Sequence, residues 1–382
     1  MTEKYFIKTF GCQQNVADSE RLRSFYESRG FAPAETLEEA DVLILNTCVV
    51  RDRAEEKVYG MIKTLRARLK EKSPSIIVTG CLIGAAARVP DGRMMKRLRT
   101  RLPDVEFLPL EEVGFEHAPK RARGKMASVV ISNGCNNYCA FCIVPFSRGK
   151  ERSRPFEEIL TEVKKAAADG YTEVMLLGQN VNSYGADFLM DKIKENEEYV
   201  LPDGEHIKPV MVKHLNRHRI PTLFPRLLER VALISGLTKV SFISSNPWDF
   251  SDELIDVIAR NENIDRLLHL PVQAGSNAVL KRMNRWYTRE EYLALADKIR
   301  ERVPEAQFTT DIIVGFPGET EEDFLETVDL VKRMNFAKTF IAWYSPRPGT
   351  SATKNLQDDV PIHEKKRRFS ELDAVAFKGH HL

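Results

Sequence analysis

Three closely spaced cysteines stand in the stretch Cys135-Asn136-Asn137-Tyr138-Cys139-Ala140-Phe141-Cys142, around which the chain is organised. A 4Fe–4S cube held by four thiolates is coordinatively complete. Three local thiolates leave one iron open, and an open position is what distinguishes catalytic from structural sites among zinc proteins. A zinc or disulfide knot is the alternative, but zinc arrays usually offer four nitrogen or sulfur ligands, and no His lies in this loop. The stretch predicts an iron–sulfur cluster with one open iron.

The spacing C-x3-C-x2-C, with Phe141 directly before the last cysteine, resembles the signature of the radical S-adenosylmethionine enzymes. In that family the open iron binds the amino and carboxylate groups of S-adenosyl-L-methionine, and an electron from the cluster splits it to a 5′-deoxyadenosyl radical. The resemblance implies a 4Fe–4S cluster on the three cysteines, with Tyr138 and Phe141 beside the cofactor. Both aromatic residues could instead be structural plugs.

Length and composition indicate a globular protein of more than one domain, since 382 residues exceed the usual size of a single core. No run of 18 apolar residues occurs, so no membrane span is expected. The N-terminus, Met1–Tyr5, lacks the layout of a signal peptide. Six cysteines without an export signal are typical of reduced metal ligands. We therefore expect a cytoplasmic protein. A monomer is a separate expectation.

Three predicted strands in the N-terminal third each end at a cysteine. The strands are Lys4–Phe10, Asp41–Asn46 and Ser75–Thr79, and the cysteines that follow them are Cys12, Cys48 and Cys81. Their spacings of 36 and 33 residues suit βαβ units, which need roughly 30 residues or more. Ligands gather outside the carboxyl ends of parallel strands. Three separately buried thiols are the alternative, but the repeated placement favours a second cluster, again with three protein ligands and an open iron.

Strand and helix alternate about six times in the central part, which predicts a parallel sheet with helices outside. The resemblance implies a partial (β/α)6 barrel, with active groups at the carboxyl ends of the strands. The candidate cofactor-binding residues after these strands are Gln179, Asn180, Ser245, Gln273, Gly315 and Glu319. In the family the segment matching Gly315–Glu319 packs against the cofactor's adenine, although a turn before a helix capped by Thr320 explains it equally well. His269 is predicted to be a hydrogen-bonded barrel residue rather than a catalyst.

The predicted fold class is α/β, with an N-terminal parallel-sheet α/β domain followed by the partial barrel. We expect the N-terminal cluster-binding domain at residues 1–119, a linker at 120–126, the radical S-adenosylmethionine core at 127–350 and a basic helical tail at 351–382. Methylthiotransferases, which the motifs described below resemble, usually continue into a small RNA-binding barrel, and we expect too few residues after 350 for it. Either the sequence is truncated, or the basic clusters alone hold tRNA. Residues 187–221 break the alternation, and an irregular loop of this length is usually functional or flexible.

Two open-iron clusters in one polypeptide resemble the methylthiotransferases, over about residues 4 to 370. The motifs that fit that family are Gly11–Asn15, Asn46–Cys48, Thr79–Cys81, Ser147–Gly149, Gly178–Asn182 and Gly315–Glu319. The Gln179–Asn182 run is most similar to the branch that converts isopentenyladenosine beside the tRNA anticodon to its 2-methylthio form. The resemblance implies two molecules of S-adenosylmethionine per turnover, the first methylating a sulfur on the N-terminal cluster. Radical formation from the second then allows methylthio insertion at carbon two of the adenine.

The implied partners are the tRNA anticodon stem-loop and a flavodoxin- or ferredoxin-type reductant. A net charge of +2 argues little for nucleic acid, but basic clusters recur. They lie at Lys63–Arg68, Lys96–Arg101, Lys120–Arg123, Arg148–Arg154 and Lys365–Arg368. For an unpaired loop base, Trp286 and Tyr287 are stacking candidates, with core packing as the alternative.

Other functions remain open at the level of sequence. Within the family, the target could be threonylcarbamoyl-adenosine in tRNA or an aspartate of a ribosomal protein. Outside it, the chain could be an iron–sulfur electron carrier or regulator that does not cleave S-adenosylmethionine, or a zinc-stabilised RNA-binding protein.

Overall fold

The computed structural model describes residues 2–49, 54–110, 113–115, 117–189, 198–214 and 218–378. The chain divides into two compact units. The first comprises residues 1–124, 133–135 and 143–150, and the second comprises 125–132, 136–142 and 151–382. No helix in the described ranges is long and apolar enough to cross a membrane.

The first unit contains a parallel five-stranded sheet, in the order β2-β1-β3-β4-β5. Its strands are β1 (Lys4–Thr9), β2 (Ala32–Pro33), β3 (Val42–Thr47), β4 (Ser75–Gly80) and β5 (Glu106–Leu108). Its helices are α1 (Gln13–Glu27), α2 (Ala54–Arg68), α3 (Cys81–Arg88), α4 (Arg93–Arg101) and α5 (Val144–Ser147). The three predicted strands are confirmed as β1, β3 and β4. The connection between β3 and β4 contains α2, as expected for a βαβ unit.

The alternation of side chains along β3 decides which helices cover which face of this sheet. Val42 and Ile44 pack in one cluster with Leu22 of α1. Leu43 and Leu45 point the other way and belong to a second cluster that includes side chains of α2, α3 and α4. All six residues of β3 are buried, as expected for a parallel strand covered on both faces.

The second unit contains six parallel strands in two three-stranded sheets, ordered β6-β9-β14 and β15-β16-β17 by adjacency. The strands from here to the end of the chain are β6 (Met126–Val130), β7 (Ser132–Asn133), β8 (Arg152–Ser153), β9 (Glu173–Leu177), β10 (Tyr199–Val200), β11 (His206–Ile207), β12 (Val210–His214), β13 (His218–Thr222), β14 (Lys239–Phe242), β15 (Leu267–His269), β16 (Gln307–Val314) and β17 (Lys338–Trp343). The helices are α6 (Phe156–Ala168), α7 (Ala186–Leu189), α8 (Phe224–Ala232), α9 (Asp252–Arg260), α10 (Asn277–Arg282), α11 (Arg289–Arg302), α12 (Glu321–Met334), α13 (Ser351–Asn355) and α14 (Ile362–Lys378).

The two sheets of the second unit are linked through the segment that precedes β15. Asp265 donates its backbone N–H to the carbonyl of Val240 in β14 at 2.8 Å, and Val240 forms a parallel bridge with Ile264. Among the described residues, β6 and β17 pair only with β9 and β16, so the barrel is open. The predicted α/β class, with a parallel-sheet domain and then a partial barrel, is confirmed.

The segment 187–221 differs from the irregular loop expected from the sequence. It contains two antiparallel hairpins, β10 with β11 and β12 with β13, while residues 190–197 and 215–217 lie outside the described ranges. The second hairpin is stabilised by a small apolar cluster of Ala186, Val210, Val212 and Ile220. Alternate residues of β12, Val210 and Val212, are therefore buried, but this period-two pattern is too short to be recognised in the sequence.

Candidate functional site

In the first unit, the ends of β1, β3 and β4 bring three cysteines to one edge of the sheet. The strand ends are level, because Thr9 pairs with Asn46 and Asn46 pairs with Thr79. Cys12 caps α1, Cys48 follows β3 directly, and Cys81 is the first residue of α3.

The side chain of Asn15 lies among these thiols. Cys12 Sγ donates to Asn15 Oδ1 at 3.4 Å, and Asn15 Nδ2 lies 4.0 Å from Cys81 Sγ. Gly11 has a φ of +126°, and a Cβ placed there would lie 2.9 Å from Cys48 Cβ. All three cysteines therefore border one small region around Asn15 and Gly11. The structure thus brings together the three thiols that the spacing of the repeats predicted to converge.

A buried ion pair adjoins this region. Arg148 Nη2 donates to Asp18 Oδ2 at 2.6 Å, and Arg148 Nη1 donates to Asn133 Oδ1 at 3.0 Å. Burial raises the pKa of the Cys81 thiol to about 11, while the positive charge of Arg148 acts in the opposite direction. Because metal ligands must be thiolates, Arg148 favours the charged form that this site needs. In the sequence Arg148 is only one member of a basic cluster, and nothing in its local pattern indicates this partner.

The donor set consists of three thiols, the type of ligand that holds iron–sulfur clusters. Within the described residues, no three His, Cys, Asp or Glu side chains lie close enough to share one metal ion. A zinc site needs its ligands to converge on one atom at about 2.0–2.3 Å, whereas a 4Fe–4S cube binds each thiolate on a separate iron. Three thiols bordering a shared region, with a cation beside them, are compatible with such a cube.

The loop that carries Cys139 and Cys142 belongs to the second unit and is fixed by the segment after α10. Cys142 donates its N–H to the carbonyl of Cys139 at 2.9 Å, which closes a tight turn between the two cysteines. Ala140 donates its N–H to the carbonyl of Met283 at 2.9 Å, and Asn284 Nδ2 donates to the carbonyl of Tyr138 at 3.0 Å. Cys135 lies in the first unit, where its N–H bonds the Gly149 carbonyl at 3.2 Å.

Arg285 is a buried residue of this site that the sequence did not indicate. Its Nη1 donates to Cys139 Sγ at 3.2 Å, and its Nη2 donates to the carbonyl of Pro271 at 3.2 Å. The guanidinium lies 4.5 Å from the ring of Trp248, and its Nε donates to the Tyr287 hydroxyl at 3.1 Å. The adjacent Tyr287, suggested above as a stacking residue, is a core residue whose hydroxyl donates to the carbonyl of Val272 at 2.7 Å.

Buried polar atoms gather after β9 and β14. Asn180 Nδ2 donates to Asp249 Oδ2 at 2.7 Å, but Asn180 Oδ1, Gln179 Oε1 and Ser245 Oγ have no hydrogen-bond partner among the described residues. Leaving such a group unpaired costs about 1–3 kcal/mol. Two unpaired acceptors and a hydroxyl fit the polar groups of a small cofactor, so these three positions remain candidates for binding it.

Two further predicted residues bind backbone at the ends of β15 and β16. Gln273 has a φ of +74°, donates its N–H to the carbonyl of Asp311 at 2.9 Å and accepts from Ile313 N–H at 2.9 Å. Glu319 accepts from the N–H of Gly315 at 2.5 Å and pairs with Arg368 Nη1 at 2.8 Å. Burial raises the pKa of Glu319, whereas those two contacts act to lower it. Through these two contacts Glu319 connects the Gly315 turn to Arg368 of α14.

The remaining predicted residues have distinct surroundings. Tyr138 has a φ of +47° and is 51% exposed, so its ring is not a structural plug. Phe141 is partly buried and packs against the core of the second unit. His269 lies 2.9 Å from Thr309 Oγ1 and 3.2 Å from Asp311 Oδ2, as a hydrogen-bonded barrel residue does.

The basic clusters are partly internal. The side chains of Arg148, Arg154 and Arg368 are at most 6% exposed and lie in ion pairs, so they do not form a phosphate-binding surface. Exposed basic side chains lie instead on α2 and α4 of the first unit, at Lys63–Arg68 and Lys96–Arg101.

Comparison with known proteins agrees with both parts of this arrangement. Residues 129–331 match the Radical SAM superfamily, and residues 4–94 match the uncharacterized protein family UPF0004. Among solved structures, the radical S-adenosylmethionine methyltransferase TsrM from Kitasatospora setae superposes with a TM-score of 0.57 at 14% identity, over 92% of this chain and 77% of that chain. The cobalamin-dependent S-adenosylmethionine radical enzyme OxsB gives 0.53 at 10% identity, over 99% and 56%. These two share the fold.

Curated relatives are far more similar in sequence. The tRNA-2-methylthio-N(6)-dimethylallyladenosine synthase of Thermotoga petrophila is 42% identical over 97% of this chain and 80% of the relative. The proteins of the same name from Carboxydothermus hydrogenoformans and Syntrophomonas wolfei are 42% and 41% identical over 97% of this chain, and over 83% and 81% of their own lengths. The chain therefore belongs to the radical SAM superfamily and, within it, to the methylthiotransferase family of the tRNA-2-methylthio-N(6)-dimethylallyladenosine synthases.

Proposed function

We propose that the protein inserts a methylthio group at carbon two of isopentenyladenosine, also called dimethylallyladenosine, next to the tRNA anticodon, using two 4Fe–4S clusters and two molecules of S-adenosylmethionine. The observation that carries the proposal is the meeting of Cys12, Cys48 and Cys81 around Asn15. Membership of the radical SAM superfamily explains the cysteines of the Cys135–Cys142 loop but not the N-terminal three. A second trio of thiols is what sulfur insertion requires beyond that.

At the radical site, Cys135, Cys139 and Cys142 would hold one cluster. Asn180 and Ser245 offer buried polar atoms for S-adenosylmethionine. A reductively cleaved S-adenosylmethionine supplies the reactivity that acid–base chemistry lacks toward an aromatic C–H bond, while the protein positions the base. The task of this chain's residues is therefore to fix the loop, orient the cofactor and exclude water.

At the second site, Cys12, Cys48 and Cys81 would hold the cluster that carries sulfur. Asn15 fixes the edge of this site through its bonds to Asn46 Oδ1 at 3.2 Å and to Cys12. The cation of Arg148 offsets the negative charge that three thiolates bring into a largely buried place. Exposed basic side chains of α2 and α4, in the same unit, offer contacts for tRNA phosphates.

Iron counting tests the two-cluster part directly. Anaerobically reconstituted wild type is expected to hold about eight irons, and the Cys12→Ala, Cys48→Ala, Cys81→Ala triple variant about four, as two four-iron cubes require. The variant should still produce 5′-deoxyadenosine from S-adenosylmethionine but no methylthio product. Equal iron in the two proteins would contradict the proposal.

Nucleoside mass spectrometry tests the substrate. tRNA from a deletion strain should lack 2-methylthio-isopentenyladenosine and accumulate isopentenyladenosine. Loss of the methylthio group from threonylcarbamoyl-adenosine, or from a ribosomal-protein aspartate, would assign the alternative targets. An iron–sulfur electron carrier would form no 5′-deoxyadenosine when reduced in the presence of S-adenosylmethionine.

We further propose a cytoplasmic monomer that receives electrons from a flavodoxin- or ferredoxin-type protein. Sedimentation of the reconstituted protein tests the oligomeric state. Replacement of dithionite by a reduced flavodoxin or ferredoxin in the 5′-deoxyadenosine assay tests the donor.

A further inference from the structure

The sheet β15–β16–β17 is covered on one face and open on the other. Leu268, Phe308 and Ile312 are at most 2% exposed and belong to the core. Along β17, by contrast, every second residue from Lys338 onward is exposed, and Phe340 keeps 46% of its surface accessible. Strands of parallel sheets are normally covered on both faces. An exposed ring on such a strand indicates a surface for a ligand.

The strand register places four side chains of differing chemistry on this open face. Thr309 pairs with Lys338, Asp311 pairs with Phe340, and His269 pairs with Thr309. Paired residues of neighbouring strands project to the same side of a sheet. His269, Asp311, Lys338 and Phe340, which we call the open face, therefore lie together.

Contacts within the open face hold the Phe340 ring at its centre. The ring of His269 lies 6.2 Å from that of Phe340 at 76°, an edge-to-face contact. Lys338 Nζ lies 4.9 Å from the centre of the Phe340 ring. His269 also lies 3.2 Å from Asp311 Oδ2, and the Asp311 side chain is 45% exposed. The Phe340 ring is therefore bordered by the ammonium group of Lys338, the imidazole of His269 and the accessible carboxylate of Asp311.

We propose that the open face binds an unpaired purine base of the substrate RNA, an inference that rests on the proposed function. Bases of single strands stack on aromatic side chains. The carboxylate of Asp311 can accept a hydrogen bond from the amino group of an adenine, and the ammonium of Lys338 can pair with a neighbouring phosphate. A target base that leaves its stack is held by stacking on an aromatic ring and by hydrogen bonds to its edge.

The position of the Phe340 ring along β17 favours RNA over the adenine of S-adenosylmethionine. Lys338 is the first residue of β17, and Phe340 precedes the end of that strand, Trp343, by three residues, or roughly 10 Å at about 3.3 Å per residue. The cofactor candidates Gln273 and Gly315 follow the carboxyl ends of their strands. Lys338 and Phe340 therefore lie in the amino-terminal half of β17, away from those motifs. His269, the last residue of β15, and Asp311, in the second half of β16, lie closer to them, and the Asp311 carbonyl accepts the Gln273 N–H at 2.9 Å.

The test uses the full chain, reconstituted with iron and sulfide, and a synthetic anticodon stem-loop RNA containing isopentenyladenosine. Phe340→Ala is expected to weaken RNA binding about 5- to 150-fold in fluorescence anisotropy, the effect of losing one stacked base. Phe340→Trp should restore binding. Iron content and the formation of 5′-deoxyadenosine in the absence of RNA should match wild type in both variants.

Two further variants keep the result interpretable. Lys338→Gln changes an exposed side chain, and it should lower the salt dependence of RNA binding by about one phosphate contact. Leu325→Ala on α12 removes a side chain that is 50% exposed and should leave RNA binding unchanged.

Unchanged RNA affinity in both Phe340→Ala and Lys338→Gln would overturn the inference. So would loss of 5′-deoxyadenosine formation without RNA, because Phe340 would then serve the cofactor. If wild type binds the stem-loop through Phe340 but yields no methylthio product, the proposed function fails while the open face stands.

Discussion

Arg285 Nη1 donates a hydrogen bond to Cys139 Sγ at 3.2 Å, so a buried cation touches one ligand of the expected radical cluster. The same guanidinium is held by the carbonyl of Pro271 and the ring of Trp248. Hydrogen bonds to cluster sulfurs and nearby positive charge favour the reduced, more negative state. Arg285 is therefore a positioning residue that also affects how readily the cluster accepts an electron.

The first prediction concerns the midpoint potential of that cluster. Arg285→Gln should shift it to a more negative value because the positive charge is lost, and Arg285→Lys should shift it less. A tenfold change in the reduction equilibrium corresponds to about 59 mV for one electron. Redox titration followed by electron paramagnetic resonance, on the Cys12, Cys48 and Cys81 triple Ala background, isolates the radical cluster.

Arg300→Gln is the matched control for that titration, because Arg300 donates to the carbonyl of Met334 at 2.7 Å and not to a cysteine. It should leave the midpoint potential at the wild-type value. An unchanged potential in Arg285→Gln, or an equal shift in both variants, would contradict the electrostatic role of Arg285.

The second prediction concerns the buried pair of Arg148 and Asp18, whose side chains are 4% and 11% exposed. Arg148→Met should lower the free energy of unfolding of the apo protein by about 3–5 kcal/mol, because Asp18 keeps a buried, uncompensated charge. Urea denaturation measures the change. The exposed pair of Arg66 and Asp104 is the control, and Arg66→Met should cost at most about 1 kcal/mol. Similar losses for both variants would argue against the role of burial.

The sequence predicted those parts of the structure that depend on local pattern. The buried strand Val42–Thr47 begins with four consecutive apolar residues, and Cys48 follows it, so the place of that thiol at the sheet edge could be inferred. Arg285 and Arg148 could not be inferred, because each acts across the fold on a cysteine or carboxylate far away in sequence. The β12–β13 hairpin was missed because its buried positions are few and its stabilising partner, Ala186, lies outside the hairpin.

The third prediction concerns the pH dependence that Cys81 confers on the apo protein. Burial raises the pKa of its thiol from 9.0 to about 11. Because the raised pKa favours the neutral thiol in the folded state, its contribution to stability is complete below pH 9 and is lost as the pH rises toward 11. Alkylation of Cys81 by iodoacetamide, followed by peptide mass spectrometry, should therefore keep accelerating between those values.

Cys81→Ser provides the control for the stability measurement. The serine hydroxyl does not ionise in this range. The free energy of unfolding of the variant should therefore fall less between pH 9 and 11 than that of wild type. An alkylation rate of Cys81 that levels off near pH 9 would show that the thiol titrates as an unperturbed one.

The last prediction concerns Gly80, which turns the chain from β4 into α3 directly before Cys81. Gly80 has a φ of +95° and a ψ of −164°, a conformation that is essentially restricted to glycine and costs other residues of order 1–3 kcal/mol. A Cβ there would lie 2.3 Å from the carbonyl oxygen of Thr47, which is backbone and cannot rotate away. Gly80→Ala should thus displace Cys81, halve the iron bound on reconstitution and lower the melting temperature.

Gly92 is the matched control, since it also has a positive φ, +60°, but a Cβ at that position meets nothing within 4 Å. Gly92→Ala should cost about 1–2 kcal/mol and leave the iron content unchanged. Full iron content in Gly80→Ala would mean that Cys81 does not need this turn to reach the cluster.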